Sequence, residues 1–443
     1  MNTLPHIVVV GLGYVGLPLA NAFAETGLYK VTGVDIDARK LEALRMGIDP
    51  NGEENPSSKL DFSIQVPPGA EYYIITVPTP VREHTNEPDL SHLINASTSV
   101  GEAIATSKKT ITGEKPFVIY ESTVHPGCTE NECVPTLERT SFCKAGDDFF
   151  VGYSPERVSP GETHVTEIKK LVSTNNGPEA LDRIFRLYQS ILKHPPVVAK
   201  SIQVAEASKI FENTQRDVLI GLVNEFATLC HSIGIDVNDV IDAASTKWNF
   251  APLRPGFVGG HCIGVDPYYL LDLAEKKSVN MQIVRHTREL NNEGVPETYA
   301  TWIKGFAEAR GYSSCLVVGY TFKPNVSDTR NTGVKTFARA LVRRRYANNS
   351  VFKHLSVYDP KVTFTNVRQV SEELASGSDF IYFTQDYMTV GEVDMVVLAV
   401  NHKMFDEKYL YHMLTTTKAK VFVDLFGKVD PKSLPPSIEY LRY

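Results

Sequence analysis

One cysteine of this chain lies where a nucleophilic sulfur is expected. Cys262 stands inside the run Gly-Gly-His-Cys-Ile-Gly-Val-Asp-Pro, whose glycines leave the sulfur uncrowded. Asp266 followed by Pro267 is typical of a helix start, so we expect Cys262 in the loop just before a helix. The start of a helix is electropositive, and this setting lowers the pKa of a nearby thiol. It therefore favours a nucleophilic role for Cys262 over that of an inert buried cysteine. The neighbouring His261 receives no catalytic role.

A lysine and an asparagine offer charge stabilisation from a long predicted helix. Val204–Ile233 contains no proline and one glycine, which indicates one continuous helix. Lys209 and Asn213 are four positions apart and therefore share a helix face. An ammonium and a carboxamide on one rigid face can stabilise negative charge developing on oxygen. An exposed, solvated face is the alternative. Apolar residues at helical spacing further along predict a buried face, made of Leu219, Leu222, Val223, Phe226 and Leu229.

A glycine-rich turn near the start of the chain predicts a dinucleotide site. The run Gly-Leu-Gly-Tyr-Val-Gly at 11–16 follows a predicted strand and opens a helix, as a pyrophosphate-binding turn does. Asp35 ends the next predicted strand, where an acid accepts hydrogen bonds from the adenosine ribose. Because that acid would repel a 2′-phosphate, NAD is expected rather than NADP. The residues predicted to bind it here are Gly11, Gly13, Tyr14, Val15, Gly16, Asp35 and Lys40.

Three more segments place polar side chains directly after predicted strands. They are Val-Pro-Thr-Pro at 77–80, Glu-Ser-Thr at 121–123 and Tyr-Ser-Pro-Glu-Arg at 153–157. Carboxyl ends of parallel strands line the cofactor crevice, so the hydroxyl groups there can contact the cofactor; ordinary strand-end turns are the alternative. Glu156 is a candidate general base or, alternatively, a solvated glutamate. The cofactor contacts predicted from these segments are Val77, Pro78, Thr79, Ser122 and Thr123.

A cationic loop follows a strand in the last third of the chain. Gly-Tyr-Thr-Phe-Lys at 319–323 precedes Asp-Thr-Arg at 328–330. Lys323 and Arg330 supply donors that match the oxygens of a diphosphate. A solvated charged loop is the alternative.

These segments need a scaffold of parallel strands. Short apolar runs alternate with helical patterns in the first part of the chain and again from Cys315, while the region between them is helical. This pattern predicts an α/β protein with two Rossmann-like, doubly wound domains joined by a central helical domain with a long helix. The predicted domains are 1–200, 201–305 and 306–443. The predicted strands are His6–Val10, Lys30–Asp35, Tyr72–Val77, Phe117–Tyr120, Phe149–Tyr153, Cys315–Tyr320, Ser356–Asp359, Val393–Val400 and Lys420–Leu425.

Composition narrows the class of protein. The 443 residues carry a net charge of −7, which argues against a nucleic-acid partner because phosphate binding requires a basic surface. No secretory signal and no run of eighteen apolar residues is evident, so we expect no membrane span. The six cysteines show no CxxC pair, which predicts neither a metal site nor a disulfide frame and favours a reducing, cytoplasmic location.

Taken together, and in this order along nearly the whole chain, the motifs resemble those of the UDP-glucose/GDP-mannose dehydrogenase family. The resemblance implies an NAD-binding domain at 1–200, a dimer-forming helical domain at 201–305 and a UDP-sugar-binding domain at 306–443. It implies a homodimer that oxidises C6 of a nucleotide sugar twice and uses two NAD molecules. The product would be a precursor of a surface polysaccharide.

The resemblance also implies a role for each motif residue. Cys262 would capture the aldehyde as a thiohemiacetal, which a second hydride transfer converts to a thioester. Lys209 and Asn213 would support the oxyanion. The residues implied in catalysis are Cys262, Lys209, Asn213, Asp266, Glu156 and Thr123.

Hydrolysis and binding complete the implied site. Asp266 and Thr123 would hold a water that Glu156 helps to activate, and Arg330 would reach the cofactor. The residues implied in substrate binding are Glu156, Arg157, Lys209, Asn213, Gly259, Phe322 and Lys323.

Two departures from the UDP-glucose branch bear on the substrate. Arg157 follows Glu156, and Val265 rather than lysine precedes Asp266. The stretch around the cysteine resembles the branch that acts on UDP-N-acetylhexosamines. We therefore expect UDP-N-acetylglucosamine or UDP-N-acetylgalactosamine, with the mannosamine epimer next. The alternatives are a UDP-glucose 6-dehydrogenase, a two-electron dehydrogenase of the hydroxyacid type, and a nucleotide-sugar-binding protein without activity.

Overall fold

The computed structural model describes residues 4–52, 54–82, 85–107, 109–157, 164–343, 350–376 and 380–443, with the backbone alone at 364 and 365. The chain divides into two compact units. The first takes residues 1–212 and 268–279, and the second takes residues 213–267 and 280–443.

The first unit is built on a mostly parallel sheet. Strand β1 (His6–Val10) lies between the parallel strands β2 (Lys30–Val34) and β4 (Tyr72–Ile75). All five residues of β1 are buried, as expected for a strand that helices cover on both faces. The other strands of this sheet are β3 (Leu60–Ser63), β5 (Phe117–Tyr120), β6 (Phe150–Tyr153), β7 (Leu171–Thr174) and β8 (Val197–Val198).

The strand order of this sheet is β3-β2-β1-β4-β5-β6-β7-β8. The order reverses between β1 and β4, which is the topological switch point where doubly wound sheets bind their ligands. Strand β7 runs antiparallel to β6, and Ser173 pairs with Tyr153, the last residue of β6. Two apolar clusters, one on each face, form the core. The helices of this part are α1 (Gly16–Thr26), α2 (Ala38–Arg45), α3 (Ser91–Thr106), α4 (Val134–Ser141) and α5 (Gly177–Gln189).

The middle of the chain is helical. The long helix α6 covers Ile202–Ile233 and contributes residues to both units. The described residues from 202 to 310 form no strand. Four further helices follow α6, namely α7 (Val237–Ala244), α8 (Asp266–Lys276), α9 (Gln282–Glu289) and α10 (Val295–Arg310).

The predicted buried face of α6 is wrong in part. Leu222 is 60% exposed, and Leu229 is 53% exposed. Phe226 is exposed as well, while Ala227 and Cys230 face the small core against α7. Periodicity finds an apolar stripe, but it does not tell whether the same chain covers that stripe.

The second unit contains a parallel six-stranded sheet in the order β11-β10-β9-β12-β13-β14. Its central strand β9 pairs in parallel with β10 and β12, which places a second switch point between β9 and β12. The strands are β9 (Ser314–Val318), β10 (His354–Tyr358), β11 (Ile381–Thr384), β12 (Met395–Leu398), β13 (Val421–Asp424) and β14 (Glu439–Arg442). The helices are α11 (Gly333–Val342), α12 (Phe364–Ala375) and α13 (Glu407–Thr416).

The predicted fold class is confirmed: the chain is α/β, with two doubly wound sheets separated along the sequence by a helical region. None of the described helices is long and apolar enough to cross a lipid bilayer. The division into three domains at 1–200, 201–305 and 306–443 stays a prediction.

Candidate active site

The glycine-rich turn after β1 has the geometry that a pyrophosphate needs. Gly11 has a φ of 97°, which favours glycine. A Cβ on Gly16 would lie 1.9 Å from the Gly11 carbonyl oxygen, so only glycine lets α1 begin this close to β1. A Cβ on Gly13 would meet no heavy atom within 4 Å, which leaves open space over the backbone. The predicted residues therefore fit an NAD phosphate group; Tyr14 and Val15 complete the turn and are partly buried.

Asp35 follows β2 and is held in place by three donors. One carboxylate oxygen accepts from the Leu12 N–H and from Lys40 Nζ at 2.8 Å, and the other accepts from the Asp37 N–H. Burial alone would raise the pKa of Asp35, but these bonds together lower it below its ordinary value. Asp35 and Lys40, both predicted to bind the cofactor, thus form an ion pair beside the glycine turn.

The strand-end hydroxyl groups tie neighbouring loops together. Thr79 Oγ1 donates to the Thr123 carbonyl at 2.7 Å, and Ser122 Oγ donates to the Val77 carbonyl at 2.6 Å. Each hydroxyl hydrogen is therefore used on backbone, while the oxygen lone pairs stay able to accept. Tyr269, on α8, donates its hydroxyl to the Thr79 carbonyl at 2.7 Å. Pro78, between Val77 and Thr79, is exposed.

Glu156 and Arg157 follow β6 and face different partners. Glu156 is 9% exposed and lies 3.7 Å from the ammonium of Lys170. The Arg157 guanidinium forms a two-point ion pair with Glu212 of α6, with distances of 3.1 and 2.7 Å. A carboxylate already neutralises this cation, which is predicted to contact substrate.

The pair predicted on α6 is more enclosed than a solvated face would be. Lys209 is 6% exposed, and the alternative of a solvated ammonium is therefore wrong. Asn213 Nδ2 donates to the Asp266 carboxylate at the start of α8. Asp266 is itself 2% exposed, so this bond joins two helices at a buried position.

Cys262 lies in the turn immediately before α8. The Asp266 N–H donates to the Cys262 carbonyl at 2.8 Å, and the Val265 N–H donates to it at 3.1 Å. Cys262 is exposed, whereas the other five cysteines are buried. A sulfur just before a helix N-terminus is in the setting that activates thiols.

The glycines beside Cys262 permit close packing against the loop after β9. Gly260 has a φ of 79°, and a Cβ there would lie 2.7 Å from the Phe322 ring. A Cβ on Gly259 would lie 2.6 Å from the Asn331 carbonyl oxygen. Gly260 N–H donates to the Arg330 carbonyl, and Asn331 Nδ2 donates to the Gly260 carbonyl. The predicted diphosphate loop and the cysteine turn are therefore one packed assembly.

The charged side chains of that loop differ in their surroundings. The Arg330 guanidinium pairs with Asp328 through contacts of 2.9 and 2.6 Å and is exposed. Lys323 is partly buried.

The side chains that hold the loop after β9 were not predicted from the sequence. Asp359, fully buried, accepts from the Tyr320 and Thr321 N–H groups and from His402 Nε2. The Asn325 N–H donates to His402 Nδ1 at 2.9 Å, which indicates the tautomer with hydrogen on Nε2. Burial acts to raise the pKa of Asp359, but these bonds outweigh it and lower the pKa. No local motif marks either residue.

A buried ion pair lies next to the cysteine turn and contacts its backbone. Arg288 of α9 lies 3.0 Å from the Asp217 carboxylate of α6, and both side chains are almost fully buried. Arg288 also donates to the Ile263 carbonyl at 3.4 Å, next to Cys262. Among the described residues, no group of three or more His, Cys, Asp or Glu side chains is arranged to hold a metal ion.

Family models match most of the chain. The NAD binding domain of the UDP-glucose/GDP-mannose dehydrogenase family matches residues 5–192. The central domain of that family matches 203–293, and its UDP binding domain matches 316–431.

Individual proteins of this family are similar over nearly their full lengths. A UDP-N-acetyl-D-glucosamine 6-dehydrogenase of Pseudomonas aeruginosa is 39% identical, over 90% of this chain and 91% of that protein. Another from Salmonella typhi is 39% identical, over 91% of this chain and 96% of that protein. The solved structure of a UDP-D-ManNAc dehydrogenase from Pyrococcus horikoshii has a TM-score of 0.78 at 27% identity, covering 99% of this chain and 98% of that one.

The fold, the order of the motifs and the similarity to known proteins agree. NAD is the cofactor of the domain that is built on the first sheet. The chain belongs to the UDP-glucose/GDP-mannose dehydrogenase family.

Proposed function

We propose that this protein oxidises the C6 alcohol of a UDP-N-acetylhexosamine to a carboxylate, with NAD as oxidant and a thioester on Cys262 as intermediate. The observation that carries the proposal is the exposed cysteine in a glycine-packed turn before α8. Five of the six cysteines are buried, so the chain offers one accessible sulfur for covalent catalysis.

The reaction balances as two oxidations and one hydrolysis. NAD, held by the glycine turn at 11–16 and by Asp35, would supply the hydride acceptor for each oxidation, so two NAD molecules would be used per sugar. The Cys262 thiolate adds to the aldehyde carbon, and the carbonyl oxygen takes a proton to give a thiohemiacetal. Loss of hydride and of the hydroxyl proton gives the thioester. Water then attacks the carbonyl carbon, the carbon–sulfur bond breaks, and the thiolate is restored. Alcohol, two NAD⁺ and water thus yield carboxylate, two NADH and three protons.

The proposed roles of the other side chains follow from their positions. Lys209 and Asn213 share one helix face and stabilise negative charge on the reacting oxygen. Asp266, anchored by Asn213, orients the attacking water with the Thr123 hydroxyl, and Glu156 accepts the proton of that water.

Substrate and cofactor contacts are proposed for the remaining predicted residues. Phe322 and Lys323 bind the UDP moiety, with Gly259 giving room beside Phe322. Arg157 contributes to the substrate site through its position after Glu156, and Arg330 contacts the cofactor.

Sequence identity to known dehydrogenases supports an N-acetylated sugar as the substrate. The two glucosamine 6-dehydrogenases are 39% identical to this chain, whereas the mannosamine dehydrogenases compared with it reach 32%. We therefore propose UDP-N-acetylglucosamine or UDP-N-acetylgalactosamine first and the mannosamine epimer next. We place the enzyme in the cytoplasm, in the supply of precursors for a surface polysaccharide.

The proposed assembly is a homodimer of three-domain chains. Domains at 1–200, 201–305 and 306–443 would bind NAD, dimerise and bind UDP-sugar in that order. The exposed apolar stripe of α6, which includes Leu222, Phe226 and Leu229, supports dimerisation through the central domain.

Counting NADH against sugar tests the function. Absorbance at the NADH band is followed with UDP-N-acetylglucosamine, UDP-N-acetylgalactosamine, UDP-N-acetylmannosamine and UDP-glucose. We expect two NADH per sugar and the highest kcat/KM with an N-acetylated sugar. One NADH per sugar would indicate a hydroxyacid-type dehydrogenase. Turnover of UDP-glucose as good as that of the N-acetylated sugars would favour a UDP-glucose 6-dehydrogenase, and no NADH from any of the four would indicate a binding protein.

The covalent step is tested separately. Cys262→Ser should lower kcat by at least about a thousandfold, since a hydroxyl that is hardly ionised at neutral pH replaces a thiol, while NAD binding stays within about twofold of wild type. Cys143→Ser, at a buried cysteine, is the matched control and should keep the activity. Full four-electron oxidation by the Cys262 variant would exclude the thioester.

A further inference from the structure

A fully buried lysine lies beneath Glu156. Lys170 Nζ is 2.7 Å from Glu121 Oε2 and 3.7 Å from Glu156 Oε2. The side chains of Lys170 and Glu121 are 0% exposed, and that of Glu156 is 12% exposed. The same ammonium lies 3.5 Å from the carbonyl oxygen of Pro155, the residue before Glu156. One cation therefore contacts both the carboxylate of Glu156 and the backbone that carries it.

The reversal of one strand brings these groups together. Glu121 follows β5 and Glu156 comes three residues after β6, at the carboxyl ends of two parallel strands. Because β7 runs antiparallel to β6, Lys170, which immediately precedes β7, returns to the same edge. Two hydroxyl bonds fasten this edge, one from Ser154 to the Leu171 carbonyl and one from Ser173 to the Tyr153 carbonyl. The lysine is thus placed by its position at the edge of the sheet.

The buried charge of Lys170 must stay paired with a carboxylate. A buried ammonium without a counter-charge is costly, and Glu121 supplies one at hydrogen-bond distance. Tyr188 donates its hydroxyl to the other oxygen of Glu121, so this carboxylate is held from two sides. Burial raises the pKa of Glu121 and the neighbouring Lys170 opposes that rise. Glu156, closer to solvent than Glu121, is the member of the group that a water can reach.

We propose that Lys170 is a positioning residue, whose buried ammonium keeps the Glu156 carboxylate aimed at the water that hydrolyses the thioester. The inference rests on the proposed function, because it needs Glu156 to accept the proton of that water. Lys170 itself contacts neither sugar nor cofactor in this scheme. Its removal should slow hydrolysis and leave the two hydride transfers nearly unchanged.

The test uses a variant that removes the buried pair without leaving a lone charge. Lys170→Met alone would strand Glu121, so the full-length double variant Lys170→Met/Glu121→Gln is used; neutral replacement of a buried ion pair is commonly tolerated. We expect a burst of two NADH per active site, followed by steady turnover reduced by at least about tenfold. Mass spectrometry after acid quenching should find the sugar acyl group on the peptide containing Cys262.

Two comparisons make the result specific. Lys169→Met, at the adjacent exposed lysine, should hydrolyse the thioester like wild type. Adding Glu156→Gln to the double variant should slow hydrolysis by less than about twofold more, because Lys170 acts through Glu156 and the two effects are not additive.

The outcomes separate this inference from the function it rests on. A folded double variant with wild-type turnover and no acyl adduct overturns the role of Lys170, and so does a variant whose burst slows instead of its hydrolysis. Fully additive losses with Glu156→Gln also overturn it. Absence of NADH from wild-type enzyme with every UDP-sugar would refute the proposed function instead.

Discussion

At the scale of single residues, the chemistry depends on which side chains solvent can reach. Cys262 is exposed, while burial raises the pKa of the Cys315 thiol and that of the Cys230 thiol. A thiol that is buried and harder to ionise reacts slowly with electrophiles. Accessibility and position before α8 thus single out the same sulfur.

Alkylation of the native protein should follow this difference. With a limiting amount of iodoacetamide at neutral pH, we expect Cys262 to be modified at least about ten times faster than any other cysteine. Peptide mass spectrometry of a time course measures the ratio, and unfolded protein provides the control in which all six react. Faster labelling of a buried cysteine would contradict the assignment of Cys262 as the accessible sulfur.

His402 shows how a residue without a motif can support a site. It links the Asp359 carboxylate to the Asn325 N–H, and both bonds shape the loop that carries Phe322 and Lys323. His402→Ala should raise KM for the UDP-sugar by about tenfold, the equivalent of about 1.4 kcal/mol, with kcat changed by less than about threefold.

The matched control for that variant is His354→Ala, which changes an exposed histidine on β10. Initial rates over a range of UDP-sugar concentrations distinguish the two parameters. A His402 variant that loses kcat at unchanged KM would show that this histidine does not act through the loop proposed to bind UDP.

At the scale of elements, one glycine decides how the cysteine turn packs. Gly260 combines a positive φ with a Cβ position that the Phe322 ring occupies. Alanine at 260 is strained in backbone and in packing at once. The motif therefore reflects contact with the loop after β9 as much as access to the sulfur.

Gly260→Ala should lower the free energy of unfolding by about 1–3 kcal/mol and reduce the reactivity of Cys262. Gly305→Ala, inside α10 with nothing near its Cβ position, should instead be neutral or raise stability by up to about 1 kcal/mol. Urea unfolding of both variants measures the difference. Equal stability of the two would show that the turn can relax around a methyl group.

The first turns of α6 contain a carboxyl group whose contribution to stability depends on pH. Both oxygens of Glu206 accept backbone bonds, from the Gly127 and Thr129 N–H groups. Burial raises the pKa of Glu206 from its ordinary 4.5 to about 7 despite these bonds. Between those values the folded chain holds a proton that the unfolded chain has lost, so the contribution of this group to stability falls as pH rises.

Glu206→Gln should remove that fall, which amounts to about 3 kcal/mol over the whole window. Thermal midpoints of wild type and variant at several pH values from 5 to 8 provide the comparison. Glu225→Gln, at an exposed position of the same helix, should keep the wild-type dependence. A parallel dependence in the Glu206 variant would contradict the shifted pKa.

At the scale of the whole molecule, the exposed stripe on α6 requires an explanation. Leu222 and Leu229 are more than half exposed on the longest helix of the described chain. Apolar patches of this kind mark association surfaces. The proposed homodimer would cover them.

Leu222→Asp/Leu229→Asp should therefore convert a dimer into a monomer, seen as a halved mass in light scattering after gel filtration. Charged side chains placed in an apolar interface are costly to desolvate, by several kcal/mol. Tyr411→Asp, at an exposed aromatic residue of α13, should keep the wild-type mass. A wild-type protein that is already monomeric at micromolar concentration would refute the dimer.

The sequence by itself determined the features that depend on short runs of residues. Strands β1 and β5 were predicted with their observed ends, and the long helix α6 within two residues of its start. The glycine fingerprint, the cysteine turn and the order of the motifs were also visible, and together they indicated the family. Buried parallel strands and glycine turns have local signatures, because burial on both faces and positive φ restrict the residue types directly.

Only the tertiary structure decided which distant side chains meet and which faces are covered. Lys170 reaches Glu121 across 49 positions and His402 reaches Asp359 across 43, in each case because the sheet order brings strand ends together. The tertiary structure also decided the exposure of the apolar stripe on α6. The sequence pattern predicts that this stripe is buried, and it is exposed in the fold. Pairings of this kind depend on topology and on the cost of leaving a charge buried alone, and neither leaves a pattern in neighbouring residues.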